Sequence, residues 1–289
     1  MGKKGLFVGL CGLDIAFYGQ NGFPMEDTKT KCDRVGSEIG GPAANAAITF
    51  SLLGGEATVL SYIGNSAIGR VVHSLMTKYG VRVIDLCDDE DIKCVSAIYV
   101  DTKNATRTIF SGQNKAVQLK DIPMAENAIR EADFVLYDGH FHEIDGLLLK
   151  TIKASSKDLI FDGGGYQQTY DEVLRHNPIL ICSEGFQKDV KGGMALKKVF
   201  SIDRVAVTHG KGPIIYRDVE EGGTLTPPPV NAVDTLGAGD VLHGAFCYYY
   251  EVRGLPFASA LEEAMRIASK STEVLGVVEG VHHAIKTSR

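Results

Sequence analysis

The chain has 289 residues, of which 44% are hydrophobic and 23% charged, and its formal net charge is −6. That length and composition predict one large domain with a sizeable core. An acidic balance with no block of Lys or Arg argues against nucleic acid as a partner, and no apolar run approaches the roughly 20 residues that span a bilayer, so a soluble, non-membrane protein is expected.

Short β-rich runs alternate with helical patterns along the chain. Residues 6–11 read as a buried strand and not as a signal peptide, because the run is short, holds glycines and lacks a small-residue cleavage site. A helix over 42–53, a strand over 57–62 and a helix over 68–79 closed by Gly80 follow. Strands are then predicted over 134–137, 159–161 and 179–182, with helices over 144–154 and 170–176 between them. Residues 205–208 and 214–216 read as a strand pair before two helices over 238–252 and 257–274. This order predicts an α/β fold with a doubly wound, mostly parallel sheet and helices on both faces. Two stretches, 14–38 and 93–113, break the rhythm; "CVSAIYVDTKNATRTIFSG" reads as two strands with a turn at Lys103-Asn104. They predict a small β lid over a site at the strand ends, within a single domain covering 1–289, with an exposed lid face suited to a homodimer.

Six scattered cysteines without a C-x-x-C pair read as reduced thiols of a cytoplasmic protein. Neither zinc nor disulfide is indicated.

The stretch "DTLGAGDVLHGAF" carries the chemistry. Glycines ahead of a helix let a ligand approach the backbone, and first-turn amides with the helix dipole form an anion cradle at Gly237, Ala238 and Gly239. An acid inside such a cradle repels a phosphate, so Asp240 makes sense as a base that takes the proton of an attacking hydroxyl. An isolated G-x-G-D is more often a simple cap. A second constellation, "EIGGPAANAAITFSLLGG", shifts the balance: Gly41 permits close approach, Pro42 starts a helix, and Asn45 offers donor and acceptor to a hydroxyl.

Together "GGPAANAA" and "DTLGAGDVLHGAF" resemble, in order and separation, the two signatures of the ribokinase-like, or PfkB, family of carbohydrate and nucleoside kinases. The resemblance implies a β lid and transfer of the ATP γ-phosphoryl group, with magnesium, to a hydroxyl of a ketose, pentose or acidic sugar. It makes Asp240 the base, the Gly237, Ala238 and Gly239 amides the anion hole, and Asp14, Gly41 and Asn45 substrate contacts. "VTHGKGPIIY" nominates Thr208, Gly210 and Gly212 for the nucleotide, and Asp234 would lie near a monovalent cation such as K+. The family's N-x-x-E motif is replaced by "CSEGF", which puts Ser183 in the Asn position and leaves Glu184 as the nearby metal-binding acid. The usual glycine-rich loop near the C-terminus is reduced to "VVEGVHHA", with His282 or His283 as nucleotide neighbours.

Arg107, with Lys29 and Arg34, falls in the lid and is suited to an acidic sugar. His140 follows a strand, where it is a candidate to touch substrate although a solvated loop histidine is the commoner case; the spacing of His140 and His142 imitates a metal pair without a third ligand. Asp162 ends another strand and supports the site. Two other readings stay open. A nucleoside kinase would stack its base on Phe17, Phe23, Tyr99 or Phe110, and a non-catalytic sugar or nucleotide sensor would explain the altered "CSEGF".

Overall fold

The computed structural model describes residues 2–91, 94–104, 106–112, 118–190, 200–219 and 221–288. In chain order the elements begin β1 (Lys4–Val8), β2 (Gly12–Gly19), β3 (Arg34–Gly40), α1 (Pro42–Leu52), β4 (Glu56–Ser61), α2 (Ala67–Lys78) and β5 (Arg82–Asp85). Next come β6 (Val95–Asp101), β7 (Thr106–Ser111), α3 (Ile122–Glu131), β8 (Phe134–Tyr137), α4 (Asp145–Ser155), β9 (Asp158–Gly163), α5 (Asp171–Arg175), β10 (Ile179–Ser183) and α6 (Glu184–Asp189). The chain closes with β11 (Arg204–Thr208), β12 (Ile214–Asp218), β13 (Glu221–Leu225), α7 (Ala238–Cys247), α8 (Phe257–Ser271) and α9 (Val277–Thr287).

The large sheet has the order β13-β12-β11-β10-β9-β8-β1-β4-β5, parallel from β11 to β5 and antiparallel at β12 and β13. Its central strands are apolar on both faces, as parallel strands between helical layers must be. One layer packs α1, α7, α8 and α9 on Phe7, Val59 and Ile181; the other packs α3, α4 and α5 on Val8, Val135 and Phe161. The doubly wound fold expected from the alternation is therefore observed.

A separate four-stranded sheet, β3-β2-β6-β7, is built from the two stretches that lacked helical period. The outer limits expected for the second stretch, residues 93 and 113, lie outside the described residues. Alternate side chains along β2 and β6, Ala16, Tyr18, Ile98 and Val100, pack toward Leu236 and Leu275 of the main body. Phe17 and Tyr99, offset by one, therefore face away.

Five elements were not expected. β5 has four residues, β13 (EGGTL) carries two glycines and no apolar run, α3 starts on a polar, proline-containing turn, and α6 is a six-residue helix that begins inside "CSEGF". The last, α9, occupies the "VVEGVHHA" stretch read above as a loop. Its start is fixed by tertiary caps: Asp234 accepts from Gly276 N at 3.0 Å and Glu38 from Val277 N at 2.9 Å. The helix expected over 238–252 changes to a π-turn after Cys247, and that over 257–274 ends at Ser271. No helix among the described residues is long and apolar enough to cross a membrane.

Helices α1 and α7 cross closely because Gly244 has no side chain: a Cβ there would lie 2.3 Å from Ala46 O and 2.7 Å from Thr49 Cβ. Gly244→Ala is predicted to cost about 3 kcal/mol by overpacking and to lower Tm by roughly 5–10 °C. Gly239→Ala, whose Cβ meets nothing within 4 Å, should leave Tm within about 2–3 °C in the same thermal melt.

Candidate active site

The strand order reverses between β1 and β8, where the parallel connections run off in opposite directions. Open α/β sheets bind ligands outside the carboxyl ends of strands at such a point. Directly after β8, the buried Asp138 carboxylate accepts from Leu10 N at 2.9 Å, Ala43 N at 3.0 Å and His140 N at 2.9 Å. It rests on Gly9, where a Cβ would clash at 1.8 Å with Asp138 Oδ1. Asp138 thus ties the end of β1 to the start of α1. Gly41, at φ +100°, then brings the chain so close to Leu10 O that a Cβ would sit 2.3 Å away, and Pro42 opens α1.

That start aims Asn45 inward. Its side chain is buried, its Nδ2 donates to Asp240 Oδ2 at 2.9 Å, and its Oδ1 is buried without a partner among the described residues. A buried acceptor left open is costly unless something fills it, and a ligand hydroxyl would.

On the opposite side, Gly237 adopts φ +70° before α7, and a Cβ there would press on Val277 at 2.6 Å. Val241 N to Gly237 O, 2.9 Å, is the bond that closes the first turn, so the amides of Gly239 and Asp240 precede the intrahelical ladder. The space over Gly239 is open. Gly237, Ala238 and Gly239 thus stand at a helix start, the Ala238 amide turned to Thr235 O at 3.4 Å, and helix starts of this geometry are where anions bind. Burial, reinforced by the nearby Asp162 charge, pushes the Asp240 carboxyl up to about 7, against the pull of the Asn45 hydrogen bond.

A cavity of about 180 Å³ opens between the small sheet and the turn ahead of α1, lined by Asp14, Gly41, Tyr62, Ser96, Ser111 and His140. Asp14 projects from β2 across Gly40, and burial raises its carboxyl despite a hydrogen bond from Ser96. His140 is half-exposed on the cavity wall. Burial disfavours its cation, but hydrogen bonding to Asp138 outweighs this and pushes the imidazole up to about 9. Arg107, on the inward face of β7, reaches Thr235 Oγ1 at 3.4 Å. His142 turns instead to Asp145, at 3.2 Å.

The nucleotide candidates form a second group two strands away. Ser183 and Thr208 are register neighbours at the ends of β10 and β11, and Gly210 (φ +59°) and Gly212 shape the turn that follows. Ser183 caps α6, accepting from Phe186 N at 3.0 Å, while the half-exposed Glu184 pairs with Lys188 at 2.7 Å. Asp234 is buried as a cap, its two oxygens taking Leu236 N at 2.9 Å and Gly276 N at 3.0 Å. Among the described residues no group of three or more His, Cys, Asp or Glu side chains could hold a metal ion. Phe17, Phe23, Tyr99 and Phe110, named above as stacking platforms, cluster on the outer side of the small sheet around a separate hollow; Phe17, Tyr99 and Phe110 point there because they alternate with the inward Asp14, Ile98 and Arg107, and Phe23 joins them from the β2–β3 connection.

Reading motifs alone passed over Asp138, Glu38 and His243. Asp138 carried a signal nonetheless: like Asp162, it is an acid placed immediately after an apolar strand, where a parallel sheet opens to its site.

Residues 6–284 match the model of the pfkB family carbohydrate kinases. The chain is 24% identical over 304 aligned positions to ketohexokinase of Mus musculus, covering 95% of this chain and 97% of that one. It is 23% identical over 266 positions to the bifunctional ribokinase/ribose-5-phosphate isomerase A of Fructilactobacillus sanfranciscensis, where it spans 87% of itself but about half, 48%, of that longer protein. The crystal structure of ribokinase from Thermotoga maritima superposes with a TM-score of 0.79 at 22% identity, covering 99% of this chain and 100% of that one. With a cradle, a facing acid and a family match across nearly its whole length, the chain belongs to the pfkB family of carbohydrate kinases, phosphotransferases whose acceptor is an alcohol group.

Proposed function

We propose that the protein transfers the γ-phosphoryl group of ATP to a hydroxyl of a small sugar, a ketose, a pentose or an acidic sugar, with Asp240 as general base. The observation that carries this reading is the pairing of Asn45 with Asp240 beside a vacant buried acceptor, Asn45 Oδ1. A substrate hydroxyl donating to Asn45 Oδ1 sits within reach of the Asp240 carboxylate, and Asp14 and His140 line a cavity on the other side of Gly41, which is where neighbouring hydroxyls would lie.

In the reaction the alcohol O–H bond breaks toward Asp240, a new O–P bond forms, and the bond to the leaving ADP oxygen takes its electron pair with it. The Gly237, Ala238 and Gly239 amides face the charge that builds on the phosphoryl oxygens, which is where such transfers gain most. Arg107 adds a cation from the small sheet, which acts as a lid that excludes water. Thr208, Gly210 and Gly212 with Ser183 form the floor for the nucleotide. Magnesium, when bound, would supply charge neutralisation on the phosphates, and Glu184 is the acid of this chain that would serve it. Asp234, close to the cradle, is the residue that would border a monovalent cation such as K+. The outward aromatic patch, with Phe23 55% and Phe110 56% exposed, suits a homodimer through the lid, and the reading places the protein in the cytoplasm as one domain.

A coupled ADP-release screen over pentoses, ketohexoses, sugar acids and nucleosides tests the reading: one sugar class should stimulate ADP release at least tenfold over the no-sugar rate. Stimulation by nucleosides alone would replace it with the nucleoside-kinase reading, and binding without turnover would point to a sensor. Asp240→Asn should lower kcat about 10³-fold or more while nucleotide Kd stays within about threefold.

Because Asp240 must be ionised to accept the proton, kcat/KM is predicted to rise tenfold per pH unit up to about 7 and then level off. Stability moves oppositely. The folded carboxyl titrates above its ordinary value of 3.8, so wild-type stability falls as pH rises from about 4 to 7. Asp240→Asn, which does not titrate, should gain on wild type through that window and melt about 5 °C higher at pH 8, an effect of order 2 kcal/mol. Equal melting temperatures at pH 8 would contradict the burial cost assigned to this carboxylate.

A further inference from the structure

His243 lies on α7 three residues after Asp240, is only 5% exposed, and has no part in the reaction above. Its ring meets acceptors on both sides. Nδ1 is 2.8 Å from Gly239 O and 3.4 Å from Asp162 Oδ2, and Nε2 is 3.1 Å from Ile181 O. A neutral imidazole carries one N–H and one lone pair. With a carbonyl oxygen opposite each nitrogen, the neutral ring would set a lone pair against a lone pair in a buried place. Only a ring protonated on both nitrogens satisfies both contacts.

The charges around it match. On its own helix stand Gly239 O and Asp240; from β10 comes Ile181 O, and from the end of β9 comes Asp162. Behind Asp162 lie Asp138, His140 and the Cys182 thiol. The α1 groups facing this part of α7, Ala46 and Thr49, are uncharged. Burial pushes both the Asp162 and Asp240 carboxyls upward, and the His243 charge opposes that in each.

We propose that His243 is held as an imidazolium beneath the active site and is the positioning residue for Asp240. Its ring ties the first turn of α7 to the end of β10, and its charge lets Asp162 and Asp240 be ionised side by side. This rests on the reading of Asp240 as the base.

Two measurements test it. In the unmodified protein at pH 7, ¹⁵N shifts of the His243 ring should show a proton on each nitrogen; one bare nitrogen overturns the proposal, whatever the enzyme's activity. In His243→Asn and His243→Gln, the acid limb of kcat/KM should move up by about one pH unit, the size expected for losing a neighbouring charge one helical turn away. Activity above pH 8.5 should recover to within about threefold of wild type. A folded variant whose limb stays at the wild-type pH, with rate lost equally at all pH values, would reduce His243 to packing and sink the idea. If neither variant folds, the ring shifts decide. A wild-type profile without an acid limb, together with an active Asp240→Asn protein, would remove the base and the positioning role with it, and the ring shifts would still report the His243 charge separately.

Discussion

One hydrogen bond joins the two halves of this enzyme's chemistry: Asn45 Nδ2 to Asp240 Oδ2, 2.9 Å long and spanning 195 positions of sequence. Everything that positions the site acts to place these two side chains together. Asp138 fixes where α1 begins, Gly41 and Pro42 set its direction, and Gly244 lets α7 lie against α1 closely enough for the side chains to meet. The contact is bought with exposure to neighbouring charge, since Asp240 shares its surroundings with the Asp162 carboxylate. A base needs that discomfort, because a carboxyl at its ordinary value would accept a proton poorly near neutral pH.

The same economy shapes the substrate side. Asn45 turns one amide end to Asp240 and leaves the other without a partner among the described residues, so in the proposed reaction one residue would both orient the acid and read the acceptor. Asp14 and His140 bring a carboxyl and an imidazole to the cavity wall from different sheets. Closure of the small sheet against Leu236 and Leu275 therefore completes the cavity as well as covering it. Glu38 holds β3 to the first amide of α9, which adds a polar tie between the small sheet and the body to the packing on Leu236 and Leu275.

Much of this was legible in sequence where the determinant is local. The alternation of apolar runs specified the main sheet, because parallel strands buried on both faces have no other composition. Gly237, Asp240, Gly41 and Asn45 stood out because a strand-to-helix junction that binds anions needs glycines and few polar side chains within four or five positions. The β6–β7 hairpin was readable from its period of two, yet which face turns inward depends on Leu236 and Leu275 far along the chain, so the outward turn of Phe17 and Phe110 is not written in the hairpin itself. Likewise α9 looked like a loop because its start is specified by Asp234 and Glu38 from elsewhere and not by a cap of its own. His243 was invisible for the same reason: its acceptors come from three elements that meet only in the fold.

The central claim is that folding withdraws Asp240 from water and leaves it poised to take a proton from an alcohol. A ¹³C titration of the Asp240 side-chain carboxyl in the ligand-free protein measures this without reference to any substrate. The account predicts a midpoint of about 7; a midpoint at the ordinary 3.8 would show a solvated surface carboxylate and contradict it.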